Sequence, residues 1–165
     1  MKDYNMKRII IHHTAGTYKP NQTDLEHYHY LIDDIGCVYS GKYKPEDNID
    51  CTDGSYAAHT YLGNTKSIGI AACCNYNFNL RDKESEYPIT RKQFETLCRL
   101  AARMCRKYKI DINNVYTHFG YDKLKNINQG KIDITYLPFK PELNPFQVQD
   151  FFRAKIRWYI NKSLQ

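Results

Sequence analysis

The chain has 165 residues, 42% of them hydrophobic, which suffices for one domain with a real core and includes no apolar run of membrane-spanning length. Twenty-four basic residues against eighteen acidic ones give a net charge of +6, which suits an anionic partner. The basic residues are dispersed apart from the stretch Arg99 to Lys109, and no nucleic-acid motif accompanies them, so neither nucleic acid nor a membrane span is expected.

Met1 to Asn5 runs almost directly into the first strand and leaves no room for a secretory apolar region, so synthesis in a cytoplasm without a signal peptide is expected. The apolar β-branched run Ile9-Ile10-Ile11 places a strand over residues 7 to 13. It ends in His12-His13, which alternation sends to opposite faces, and Thr14-Ala15-Gly16 forms the exit turn. Thr23-Asp24-Leu25-Glu26 has the acidic first turn of a brief helix. Tyr28-His29-Tyr30-Leu31-Ile32 and Cys37-Val38-Tyr39, parted by Asp33-Asp34-Ile35-Gly36, read as a β-hairpin. Residues 42 to 64 have no clear period, and polar loops of that length in a compact domain are usually functional. Ser67 to Cys74 is small and β-branched, a candidate central strand.

Thr90-Arg91-Lys92-Gln93 is a capping box, and Phe94, Leu97, Leu100, Ala101, Met104, Cys105 and Tyr108 follow at helical spacing. Asn113 to Thr117 is a short strand ending at His118, and residues 119 to 143 read as irregular. Asn144-Pro145 opens a last helix whose inner face carries Val148, Phe151, Phe152, Ile156 and Tyr159. The class is α/β: a single domain over residues 1–165 with a central mixed sheet flanked by helices, the C-terminal helix over 145–160 belonging to it. The six cysteines (Cys37, Cys51, Cys73, Cys74, Cys98, Cys105) contain no C-x-x-C and are expected as reduced thiols, several of them core filling.

Two strand ends carrying His12 and His118, with Lys131-Ile132-Asp133 in the loop beyond, can supply a three-ligand zinc site with one position open. Such a site polarises a carbonyl and activates water, as amide hydrolysis requires. Spacing alone leaves Asp122 as a competitor to Asp133 for the third place. Taken singly, Tyr28 is one of fifteen tyrosines and Lys131 a solvated lysine. His13 and His29 are expected to face away from the site, and His27 to lie at the surface.

The chain resembles the zinc-dependent N-acetylmuramoyl-L-alanine amidases of the phage-lysozyme and peptidoglycan-recognition-protein type. The pieces that carry the resemblance are Ile11-His12-His13-Thr14-Ala15; Tyr28-His29-Tyr30-Leu31-Ile32 with Gly36-Cys37-Val38-Tyr39; Ala58-His59 with Asn64 and Ser67-Ile68-Gly69-Ile70; and Thr117-His118 with Lys131-Ile132-Asp133. They stand in the family's order over residues 7 to 135. The resemblance implies Zn2+ on His12, His118 and Asp133, catalytic roles for Tyr28 and Lys131, and substrate contacts near His59, Asn64 and Thr14. It implies peptidoglycan as substrate, recognised through its stem peptide and N-acetylmuramic acid, and an endolysin made in the cytoplasm that acts on the bacterial wall as a monomer. A cytoplasmic amidase recycling soluble muropeptides and a non-catalytic peptidoglycan-binding module remain open alternatives at this level. The chain departs from the family pattern in three places: only about fifteen residues separate His12 from Tyr28, the segment from His118 to Asp133 is long, and Ile134-Thr135 stands where Pro-Gly is usual.

Overall fold

A computed structural model describes residues 5–163. Five strands form one mixed sheet in the order β3-β2-β4-β1-β5. β1 (Arg8–His13) lies between β4 (Ser67–Ala72) and β5 (Val115–Thr117) and runs parallel to both. β2 (Tyr30–Ile32) is parallel to β4 on one side and antiparallel to β3 (Val38–Ser40) on the other, which is the expected hairpin. β1 and β4 are apolar without alternation because both of their faces are covered.

The two faces differ in thickness. On one, Ile9, Ile11, Ile68, Ile70 and Ala72 pack beneath α2 (Arg91–Tyr108) and α4 (Pro145–Lys162). α2 has the predicted capping box, Thr90 with Gln93, and all seven apolar positions predicted for its inner face are buried. Phe94 joins the two helices, with its ring centroid 5.0 Å from Phe151 and 4.9 Å from Phe152. The C-terminal helix thus shares the main core.

The other face is thin. The apolar cluster of Leu31, Ala71 and Cys73 is covered by the partly buried Leu25, Tyr28 and Tyr39, brought there by the short helix α1 (Gln22–His27) and the hairpin. α1 is the brief helix expected, capped at Asn21 two residues before the predicted start.

Two expectations are corrected. β5 is shorter than residues 113 to 117, because Ile112–Asn114 forms a 3-10 turn capped by the Asp111 side chain. The stretch read as irregular after His118 begins instead with a helix, α3 (His118–Lys125). Its eight residues include Gly120 and carry no apolar period, so local pattern could not reveal it. Its supports are tertiary: the Thr117 side chain caps the Gly120 amide, Asn126 closes the helix in the left-handed region, and Gly120 lies flat against Gln149 of α4, where any Cβ would collide. Residues 1–4, at the expected leaderless start, lie outside the described residues. All six cysteines are free thiols, and among the described residues no helix is long and apolar enough to cross a membrane.

Candidate metal centre

The site lies on the thin face, and strand alternation puts it there. Ile9, Ile11 and His13 point toward α2 and α4, so Ile10 and His12 point the other way. The cross-strand neighbour of His12 on β4 is Ala71, and that of Ile10 is Gly69, so small residues leave room for rings. β5 ends at its pairing of Thr117 with Ile11, so His118, one position further on, stands beside His12 with ring centroids 4.7 Å apart. Asp133 reaches both from the loop after α3. That loop is pinned by the buried side chains of Ile134 and Leu137 and by a bond from the Phe119 amide to the Asp133 carbonyl.

Asp133 Oδ2 lies 2.9 Å from His12 Nδ1 and 3.3 Å from His118 Nδ1. One ligand atom from each of His12, His118 and Asp133 falls within 4.8 Å of the others, and all three residues are buried. A tetrahedral ion with bonds of ~2.1 Å sets its ligands roughly 3.4 Å apart, so small adjustments of these side chains would seat one. Burial pushes the His12 imidazole down to about 4, which leaves it neutral and able to ligate at neutral pH. Burial alone would raise the Asp133 carboxyl, but hydrogen bonds from His118 and His12 outweigh it and hold the group well below the usual carboxylate range. Two imidazole nitrogens and one carboxylate form a donor set suited to zinc.

The structure groups Asp133, not Asp122, with the two histidines. Asp122 follows His118 by one turn of α3, and its carboxylate faces the other nitrogen, with Oδ1 3.5 Å from His118 Nε2.

Tyr28 caps α1 and leans over His12, ring centroids 5.1 Å apart. Burial, then the charge of Asp133, pushes its phenol above the ordinary value, so it stays protonated and able to donate. Lys131 is exposed in the loop before Asp133, near enough for its charge to act on His13 and Asp122.

His59 is buried behind His12. Its Nδ1 lies 3.2 Å from His12 Nε2 and 2.8 Å from Thr60 Oγ1, and its ring rests on Gly69. Asn64 Oδ1 accepts from the amides of His59 and Thr60, and its own carbonyl accepts from the buried Asn48. Asn48 also accepts from His29 Nε2, so the predicted long loop is braced from within. Thr14 Oγ1 accepts from the amides of Gly16 and Cys74. His13 faces away as expected and is bonded to Asn75, whereas His29 does not: held between Asn48 and the Gly69 amide, its ring lies 5.5 Å from that of His59 on the site's own face. His27 is exposed. What sequence reading missed is how the two histidines are backed: His59 and Thr60 behind His12, and Asp122 behind His118. The i,i+4 spacing of His118 and Asp122 was visible, but only a helix there gives it meaning.

A family profile described as N-acetylmuramoyl-L-alanine amidase matches residues 2–135. The chain belongs to that family, and the N-acetylmuramoyl-L-alanine amidases are its enzyme class. No curated protein matches the sequence. Among solved structures, the N-acetylmuramoyl-L-alanine amidase LysC from Clostridium intestinale URNW is similar at 21% identity and a TM-score of 0.56, with 93% of this chain and 88% of that one covered. PlyL is similar at 17% identity and a TM-score of 0.54, covering 92% and 84%. The amidase AmiD from E. coli, in complex with anhydro-N-acetylmuramic acid-L-Ala-D-gamma-Glu-L-Lys, gives 20% identity and a TM-score of 0.51, covering 69% of this chain and 48% of that one. At these identities the likenesses concern the fold.

Proposed function

We propose that the chain, as one domain over residues 1–165, is a zinc-dependent amidase acting as a monomer. It hydrolyses the bond between N-acetylmuramic acid and the L-alanine of the stem peptide in intact bacterial peptidoglycan. The observation that carries this reading is the convergence of His12 Nδ1, His118 Nδ1 and Asp133 Oδ2 at one buried point open to the thin face. His12, His118 and Asp133 would hold the ion. Bound zinc supplies Lewis acidity for the scissile carbonyl and acidifies water. The Tyr28 phenol donates a hydrogen bond to the carbonyl oxygen as negative charge grows there. Lys131, at the mouth of the site, adds positive charge to the same oxygen and to the anionic groups of the stem peptide. His59, Asn64 and Thr14 serve the substrate through the walls they brace: the first two fix the 42–64 loop, and Thr14 fixes the turn after β1.

The setting we propose is that of a phage endolysin, made in a host cytoplasm and released onto the wall. Full-length likeness to LysC and to the endolysin LysCS, the latter covering 94% of this chain and 87% of that one, supports this. The +6 charge favours approach to an anionic wall. Mass spectrometry of purified sacculi digested with and without chelator tests the proposal. Expected are new L-alanine amino termini with intact glycan strands, lost on chelation and restored by zinc. Cleavage of soluble muropeptides alone would point to recycling, and cleavage insensitive to chelator would refute the zinc reading.

A further inference from the structure

Four side-chain atoms among the described residues are buried without a hydrogen-bond partner, and three of them face one another: His118 Nε2 and both carboxylate oxygens of Asp122. A buried carboxylate with nothing to accept from is costly, and such groups in a folded protein call for a reason. Helix geometry supplies the placement. Side chains lean toward the N-terminus of a helix, so a residue at i+4 reaches back over residue i, and Asp122 Oδ1 comes to 3.5 Å from His118 Nε2.

No hydrogen bond is formed at that distance, and the ring's other nitrogen is the one turned toward the site. His118 Nδ1 is turned to Asp133, 3.3 Å away. When Nδ1 carries the proton, Nε2 has none to give to Asp122. When Nδ1 gives its lone pair to an ion, the neutral ring must carry its proton on Nε2, and that N–H points at Asp122. Resting on the zinc reading above, we infer that Asp122 is a positioning residue of the metal centre, whose buried carboxylate accepts the outer N–H of His118 and so fixes the ring with Nδ1 inward. His12 has a different partner on its outer side, the neutral His59 and Thr60 pair, 3.2 and 3.3 Å from Nε2. The anionic partner therefore belongs to His118 alone. It also lies within α3, so the helix that presents the ligand presents its support.

Zinc dissociation constants measured by competition with a chromogenic chelator test this, in the wild type and in Asp122→Ala, Asp122→Asn and Asp133→Ala, alongside melting temperatures of the metal-free forms. Loss of an outer-shell partner of a ligating histidine weakens binding about 10- to 100-fold, and that is the expectation for Asp122→Ala. Asp122→Asn keeps an accepting oxygen of the same shape and should retain most of the affinity. The metal-free melting temperature of Asp122→Ala should stay level or rise, because an unpaired buried charge is removed. Equal zinc constants in Asp122→Ala and the wild type would overturn the inference. So would a loss as complete as that of Asp133→Ala, which would make Asp122 a ligand, or a metal-free melting temperature low enough to account for the loss. A wild type that binds no zinc removes the zinc reading with it, whereas tight zinc in both proteins removes only this one.

Discussion

Gly69→Ala should destabilise the protein, although alanine in a strand interior ordinarily gains about 0.5–1 kcal/mol over glycine. A Cβ at Gly69 would stand 2.5 Å from His59 Cγ and 2.7 Å from its Cδ2. Carbon pairs rest at about 3.5–4.0 Å, so the ring has to withdraw by about 1 Å. The backbone cannot yield instead, because β4 is paired on both sides, to β1 and β2. His59 has little room to retreat: its Nδ1 is engaged with Thr60 Oγ1 and His12 Nε2, and its Nε2 lies 3.4 Å from the Ser67 carbonyl. Overpacking of this kind costs ~1–3 kcal/mol, which exceeds the propensity gain and leaves a net loss of roughly 1–2 kcal/mol. Urea unfolding of the wild type, Gly69→Ala, His59→Ala and the double variant measures the coupling. In the His59→Ala background the added methyl meets no ring, so it should be neutral or stabilising, with a coupling energy on the order of 1–3 kcal/mol. A Gly69→Ala protein as stable as the wild type, or strictly additive costs, would refute the placement of His59 against β4.

His12→Ala and His118→Ala should each abolish zinc retention and lysis, and metal analysis showing a full complement of zinc in both variants would remove the proposed site. Tyr28→Phe and Lys131→Ala should keep zinc and fold yet lose turnover on the order of a hundredfold, since each withdraws a donor or charge from the developing oxyanion; near-normal rates would cancel those roles. Acid should destabilise the chain through His29, whose Nδ1 accepts from the Gly69 amide and which burial lowers from 6.5 to about 4. The unfolded chain then binds more protons between those two values, so the His29 contribution is full above about 6.5 and fades as pH falls toward 4, by about 2 kcal/mol between pH 7 and pH 5. A His29→Gln protein whose unfolding free energy falls as steeply over that range would refute this.

The sequence made legible whatever depended on local period or local chemistry. The helix from Thr90 shows its cap and its stripe in one glance at spacing, and the core accepts that stripe unchanged. The run into His12-His13 assigns the strand, and alternation assigns opposite faces to the two imidazoles. α3 was hidden because its stability comes from Gln149 and the Thr117 cap, and a glycine in an eight-residue segment reads as loop. With α3 hidden, Asp122 was one more acidic residue downstream of His118. His59 was legible as a residue near the site through family resemblance, but its place behind His12 depends on Gly69, fifty-seven positions after the ligand. Such pairings are written only in the register of the sheet.

That register also decides which histidine reaches the candidate metal centre. β1 presents Ile9, Ile11 and His13 to the thick core and Ile10 and His12 to the thin face, while β4 adds Ile68 and Ile70 on the first side and the small Gly69 and Ala71 on the second. A slip of one residue would drive His12 under α2 and α4 and turn Ile9 and Ile11 toward the loop that Asn48 and Asn64 hold in place. Burial of Ile9 and Ile11 opposes that slip directly, so the energy that builds the main core also holds His12 beside His118 and Asp133. The thin face then needs no large apolar cover. It can stay thin, with the short α1 and the braced 42–64 loop as its walls, because its stability is secured on the opposite side of the same strand.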